Sequence, residues 1–133
     1  MDVAIKAARA SFAWEFPGAL AGPVLAGTRR ILKKFLGSKV ARELAHARIL
    51  GREMPFTYGL DGQIVHGSMD MVLKMGNRIR VVDFKTDRGV AGAGRYREQG
   101  RMYVEAVRRA LGTRDVDFSI VFLRTAKIVE VPV

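Results

Sequence analysis

The chain contains no cysteine. That removes disulfides, zinc–thiolate centres, cysteine-ligated iron–sulfur clusters and thiol nucleophiles. It also lacks the unbroken apolar run of a membrane-crossing helix. The first residues do not read as a secretory leader, because Asp2, Lys6 and Arg9 interrupt them and no clear cleavage site follows. A cytoplasmic protein without a membrane partner is the expectation. No serine nucleophile constellation stands out, no internal repeat, and the glycines at 89, 92 and 94 do not form a phosphate-cradling P-loop. Histidine is scarce. His46 falls on a predicted helix as an exposed residue, and His66 lies four strand residues from Asp70, roughly 13 Å, too far to share an ion. Acid is also in short supply: 13 Asp and Glu face 23 Lys and Arg, for a formal charge of +10. Such an excess suits a polyanionic partner, most simply nucleic acid, although a solubilising basic surface gives the same count.

What is present is enough for one core. The 133 residues are 49% hydrophobic, the size and composition of a single globular domain. Apolar spacing predicts a helix from Asp2 to about Trp14, broken by Pro17-Gly18 through Gly22-Pro23. Thr28 is placed to cap a second helix bearing Ile31, Leu32, Phe35 and Leu36, and Ser38 to cap a third running to about Leu50. From Arg52 to Phe84 the pattern is that of strands. A glycine-rich loop, Thr86 to Gly94, leads to a helix over Arg95–Leu111, with Gly112 as its C-terminal cap. Two strands follow, Val116–Leu123 and Lys127–Val131. The expected fold is α/β, a mixed β-sheet flanked by helices, with a helical part over 1–51 and a core over 52–133. The link from Lys85 to Val116 reads as a helical crossover that makes the later strand parallel to the strand of Asp83.

Two turns fix the candidate site. Gly76-Asn77 and Asp61-Gly62 are tight-hairpin signals. Counting outward from the first pairs Lys74 with Ile79, Val72 with Val81, and Asp70 with Asp83. Counting from the second pairs Tyr58 with Val65 and Glu53 with Asp70. Glu53, Asp70 and Asp83 then form a row across three strands, and Lys85, two residues beyond Asp83, shares its face. A solvated cluster of ion pairs is one explanation. The apolar context of Val81-Val82-Asp83-Phe84 instead suggests a central strand, where a charge is costly unless paired or metal-bound. Carboxylate oxygens, with the Phe84 carbonyl, suit Mg²⁺ or Mn²⁺. Such an ion can activate water for attack on a phosphate, and Lys85 can offset the charge that grows there. Gln99 and Tyr103, four apart on one helix face with Tyr96 nearby, supply a supporting layer or ordinary interface packing. Arg95, Arg97 and Arg101 on that helix, and Arg88 in the loop, are candidates for holding phosphates.

Glu53-Met54-Pro55-Phe56, Gly67-x-x-Asp70, Asp83-Phe84-Lys85-Thr86 and Tyr96-Arg97-Glu98-Gln99-x-x-x-Tyr103 together resemble the RecB-like branch of the PD-(D/E)xK nucleases, and most of all the C-terminal domain of AddA-type helicase–nucleases. The resemblance covers Arg52 to the C-terminus. It implies a restriction-endonuclease-like sheet and Mg²⁺-dependent (or Mn²⁺-dependent) cleavage of DNA, including exonuclease action on single-stranded ends. It also implies a helicase domain or subunit as partner and a role in recombination or double-strand-break repair. By the same resemblance Asp70 and Asp83 are metal ligands, Lys85 is the catalytic lysine, Gln99 and Tyr103 support the site and contact DNA, and Glu53 is an accessory acid. One departure stands out. The branch carries a Gly-x-x-x-His element on an N-terminal helix, and His46 lies too near Glu53 to match it. The expectation is a chain that begins inside the domain. A rival expectation is a catalytically inactive DNA-binding or scaffold remnant, and a third is a structural domain whose acids pair with arginines.

Overall fold

A computed structural model describes residues 18–87 and 89–133. The helix expected over 2–14 and the position of Arg88 lie outside the described residues. Helix α1 spans Gly18–Leu36 and α2 spans Lys39–Ala45. Strands β1 (Arg48–Leu60), β2 (Gln63–Met75) and β3 (Arg78–Lys85) follow. A 3₁₀ turn over Ala93–Tyr96 then opens α3 (Arg97–Leu111), and β4 (Val116–Phe122) and β5 (Lys127–Glu130) complete the chain.

Both tight turns form as their chemistry demands. Asp61 and Gly62 have φ of 47° and 77°, the left-handed pair that a type I′ turn needs, and Gly76 has φ of 63°. The strand registers expand from these turns. Tyr58 faces Val65, Lys74 faces Ile79 and Val72 faces Val81. The sheet order is β1-β2-β3-β4-β5. All neighbours are antiparallel except β3 and β4, which run parallel because α3 carries the chain back across the sheet.

Several helix boundaries differ from expectation. The break expected between Pro17 and Pro23, and the cap expected at Thr28, are absent: α1 runs unbroken from Gly18 and holds Pro23 inside it. Pro23 lies in the second turn of the helix, where it forgoes a single backbone hydrogen bond, and Val24, Leu25 and Ala26 continue the helix beyond it. Ser38 caps α2 as expected, its Oγ accepting from the Ala41 amide at 3.1 Å. That helix stops at Ala45 rather than near Leu50, because Arg48 and Ile49 are drawn into the long β1–β2 hairpin opposite Lys74 and Leu73. The strands therefore begin four residues before Arg52. At the other end, α3 closes on Gly112, whose φ of 63° lets its amide reach the Arg108 carbonyl at 2.9 Å.

The sheet is buried on both sides. Val81, Val116, Phe118, Ile120 and Phe122 pack against Tyr103, Val104 and Val107 of α3. On the opposite face Leu73, Val82 and Val121 meet Phe35, with Val40, Ala41 and Leu44 beside them. Phe35 and Phe84 meet edge to face at 6.2 Å. β3 and β4 are thus central strands, apolar on alternate residues to both sides. On the α3 side the closest approach is at Gly100. A Cβ there would lie 2.2 Å from Phe118 Cδ1, and Phe118 is fully buried. Gly100→Val is expected to lower stability by about 1–3 kcal/mol through overpacking that the α3–β4 contact cannot relieve. Chemical denaturation measures it, and an unchanged midpoint would contradict this packing.

Candidate active site

Asp83 sits near the end of β3, 3% exposed, in the heart of the α3 side of the sheet. Lys85, two residues on, points to the same face and brings Nζ to 2.7 Å from Asp83 Oδ2. That oxygen is buried, and the Lys85 ammonium is its one close polar contact among the described residues. Oδ1 has a long contact from Gln99 Nε2 at 3.4 Å, and Gln99 Nε2 also donates to Tyr103 Oη at 2.7 Å. The helical i, i+4 spacing therefore brings Gln99 and Tyr103 together over the Asp83 carboxylate, as their shared face predicts.

Asp70 arrives from β2. The β2–β3 ladder runs from Met75↔Arg78 to Met71↔Val82 and stops one pair short of Asp70 and Asp83. At that point the Asp70 carboxylate takes over, Oδ2 accepting the Phe84 amide at 2.8 Å. Met69 and Val72 both pack into the α3-side core, whereas Met71 packs on the opposite side, so the two-residue alternation slips once between Met69 and Met71. Across from the slip Glu53 adopts φ of 47°. The register itself holds here, with Arg52↔Met71 and Met54↔Met69 on either side; the shift in the β1–β2 ladder lies further along, between Ile49 and Gly51.

The slip corrects the expected three-acid row. Glu53 is still opposite Asp70 by register, but its left-handed backbone leaves it exposed. No group of three or more His, Asp or Glu side chains comes together among the described residues. Regular alternation was the premise of the count, and it fails at one residue. His46 is the C-terminal cap of α2, its Nδ1 2.7 Å from the Arg42 carbonyl, and His66 is exposed opposite Thr57.

The electrostatics follow from burial. Desolvation pushes the Asp83 carboxyl above its ordinary value; the Lys85 contact opposes this, and the Asp70 charge adds to it. For Lys85, burial pulls the ammonium down, but the contact and charge of Asp83, with Tyr96 and Tyr103, raise it overall. The Tyr103 phenol is pushed up, first by burial, against the Gln99 hydrogen bond and with help from the charges on Asp83 and Asp70.

The arginines are less available than the sequence suggests. Arg101 pairs with Glu98 at 2.8 Å, and Arg95 pairs with Asp87 at 2.9 Å. Arg97 is exposed at the first turn of α3. Asp87 is a residue that the motif reading passed over. Its Oδ2 accepts from Tyr96 Oη at 2.6 Å, and this hydrogen bond, followed by the Arg95 contact, holds its carboxyl below the usual range. The signal was its position two residues past Lys85, hidden because loop residues carry no periodicity.

The donor set is two carboxylates, Asp70 and Asp83, with the backbone of Phe84 alongside. One oxygen of Asp83 is buried, with only the Lys85 ammonium against it among the described residues. That suits a hard, oxygen-seeking divalent cation of the Mg²⁺ type, which takes one or two protein carboxylates and completes its shell with water and phosphate.

Comparison with known proteins agrees with this architecture. The chain shares its fold with a solved candidate exonuclease from Eubacterium rectale, at a TM-score of 0.59 and 17% sequence identity. The match covers 81% of this chain and 45% of that one, so this chain spans less than half of that protein's length. The mixed five-stranded sheet with flanking helices is restriction-endonuclease-like. A search of curated proteins finds no match. A family profile described as the PD-(D/E)XK nuclease superfamily matches residues 4–132, nearly the whole sequence, and the chain belongs to that superfamily.

Proposed function

We propose that this chain is a single nuclease domain that hydrolyses DNA phosphodiesters with Mg²⁺ or Mn²⁺, in the manner of the RecB-like branch. The observation that supports the reading is the gathering of Asp70, Asp83 and Lys85 at the end of a buried strand, where a buried oxygen of Asp83 has only the Lys85 ammonium against it. Asp70 and Asp83 would hold the cation, with the Phe84 carbonyl beside them. When bound, the ion supplies Lewis-acid polarisation of the phosphate and activation of water. The protein's own groups do the rest. Lys85 offsets charge on the non-bridging phosphate oxygens, and Gln99 and Tyr103 fix the Asp83 carboxylate and offer polar contacts to the strand backbone. The +10 charge draws the polyanion in. Arg97, with Arg88, Arg95 and Arg101, would touch phosphates without reading bases.

The sequence holds no ATPase motif, so the strand-separating helicase would be a separate segment or chain, delivering single-stranded ends during recombination or break repair. Cleavage of end-labelled single-stranded DNA is expected with Mg²⁺ or Mn²⁺ and not with EDTA; cleavage that persists in EDTA would refute the site. The rival reading, a remnant that binds DNA without cutting it, draws on the absence of a third acid or histidine beside Asp70 and Asp83 among the described residues. It predicts salt-sensitive DNA binding with no product at any metal concentration.

A further inference from the structure

The strongest feature not yet given a role is Tyr96. Its ring lies under the Lys85 ammonium, with Nζ 4.9 Å from the ring centroid. The ring is itself held in place. Its hydroxyl donates to Asp87 Oδ2 at 2.6 Å and accepts from Arg95 Nη2 at 2.8 Å, and the Arg95 guanidinium covers the ring at 4.8 Å from the centroid. Asp87, Arg95 and Tyr96 are thereby tied to one another beside Lys85.

Lys85 has two holders, and one of them is needed elsewhere. Asp83 Oδ2, its partner at 2.7 Å, is also the buried carboxylate oxygen with no other polar contact among the described residues, the one best placed for a cation. An ammonium and a divalent cation compete for that oxygen and repel each other. Unless something else retains the ammonium, Lys85 either blocks the carboxylate or swings away to solvent. An aromatic face attracts a cation by about 0.5–2 kcal/mol, more where water is excluded. We infer that Tyr96 is a positioning residue: its ring holds the Lys85 ammonium in the site while Asp83 is released to bind a divalent cation. This rests on the metal-dependent reading above and adds a role for a residue that touches neither phosphate nor ion.

The inference predicts a coupling that a merely structural tyrosine would not produce. Mn²⁺ affinity, measured by titration calorimetry on the folded protein, is the readout. Tyr96→Leu is expected to weaken Mn²⁺ binding about three- to tenfold, because Lys85 falls back onto Asp83. In a Lys85→Ala background the same Tyr96→Leu change is expected to have no effect, since no ammonium remains to compete. Tyr96→Phe, which keeps the face, is expected to bind as the unsubstituted protein does. If Tyr96→Leu does not fold, Tyr96→Met, of similar bulk and without a ring, takes its place. An equal loss in both backgrounds, or no loss in either, overturns the inference and leaves the nuclease reading intact. If the unsubstituted protein binds no Mn²⁺, both fall together.

Discussion

Asp83→Asn is expected to reduce DNA cleavage on the order of 10³-fold, the scale on which removal of a group that stabilises transition-state charge is felt, while the protein stays folded. The two halves of that expectation have one cause. Asp83 is 3% exposed, and its Oδ2 has the Lys85 ammonium as its close polar contact, so the fold and not water must hold its charge. Burial disfavours that charge more than Lys85 supports it, since the carboxyl is pushed above its ordinary value; asparagine keeps the shape without the charge, and Lys85, about a quarter exposed, can turn to water and to Tyr96. The melting temperature of the metal-free variant should therefore equal or exceed that of the parent. Its pH dependence should differ in a definite direction. The folded-state pKa of Asp83 is raised above the ordinary value of 3.8, so the native state holds this proton more tightly than the unfolded chain does. The parent's stability in EDTA should include a contribution from this site that is full below the ordinary carboxylate range and is lost as pH rises through the raised value. Asp83→Asn removes that slope. Thermal melts across this pH window test it. A variant that unfolds, or one that cleaves DNA at parental rates, would show that the residue serves the fold and not the chemistry.

The parts of this fold that can be read from sequence are those governed by local rules. Asp61-Gly62 and Gly76-Asn77 fix two hairpins because few residues tolerate left-handed turns. The registers that follow place Val72 against Val81 and bring Asp70 to the level of Asp83. Gly112 ends α3 for the same local reason. The i, i+4 pair Gln99 and Tyr103 meets as helical geometry requires. The failures arise where a non-local preference wins. Pro23 reads as a breaker, yet one forgone hydrogen bond near the start of α1 does not end a helix of 19 residues. The end of α2 was set too late because β2 offers Arg48 and Ile49 a partner, which no local pattern announces. Glu53 was counted into the acidic row on the assumption of unbroken alternation, and one slipped residue beside Asp70 undoes that. Asp87 carries no motif signal because its value lies in contacts with Tyr96 and Arg95, nine and eight residues away in sequence.

Lys85→Ala should slow cleavage in a way that can be told apart from loss of Asp83. Lys85 Nζ lies against the carboxylate that would hold the ion, and its pKa is held above the ordinary lysine value, so it is an ammonium throughout the working pH range. Burial opposes that charge, and the Asp83 contact outweighs burial. A charge fixed in a partly desolvated site can stabilise the added negative charge of a phosphoryl transition state without first reorganising, an effect on the order of 10²–10³ in rate when one such donor is lost. The loss should fall on kcat with little change in KM, because the interaction strengthens only as charge builds. Lys85→Arg should not restore activity: the guanidinium is planar and larger, and it cannot sit between the Asp83 carboxylate and the Tyr96 face as a compact ammonium does. Metal binding is the discriminating measurement. Asp83→Asn should weaken Mn²⁺ binding, whereas Lys85→Ala should preserve or tighten it, since a competing cation has been removed from the same oxygen. Single-turnover cleavage and calorimetry on the two variants separate these effects. If both variants lost metal together, Lys85 would be a structural counter-ion for Asp83, and the proposal that it acts on the phosphate would fail.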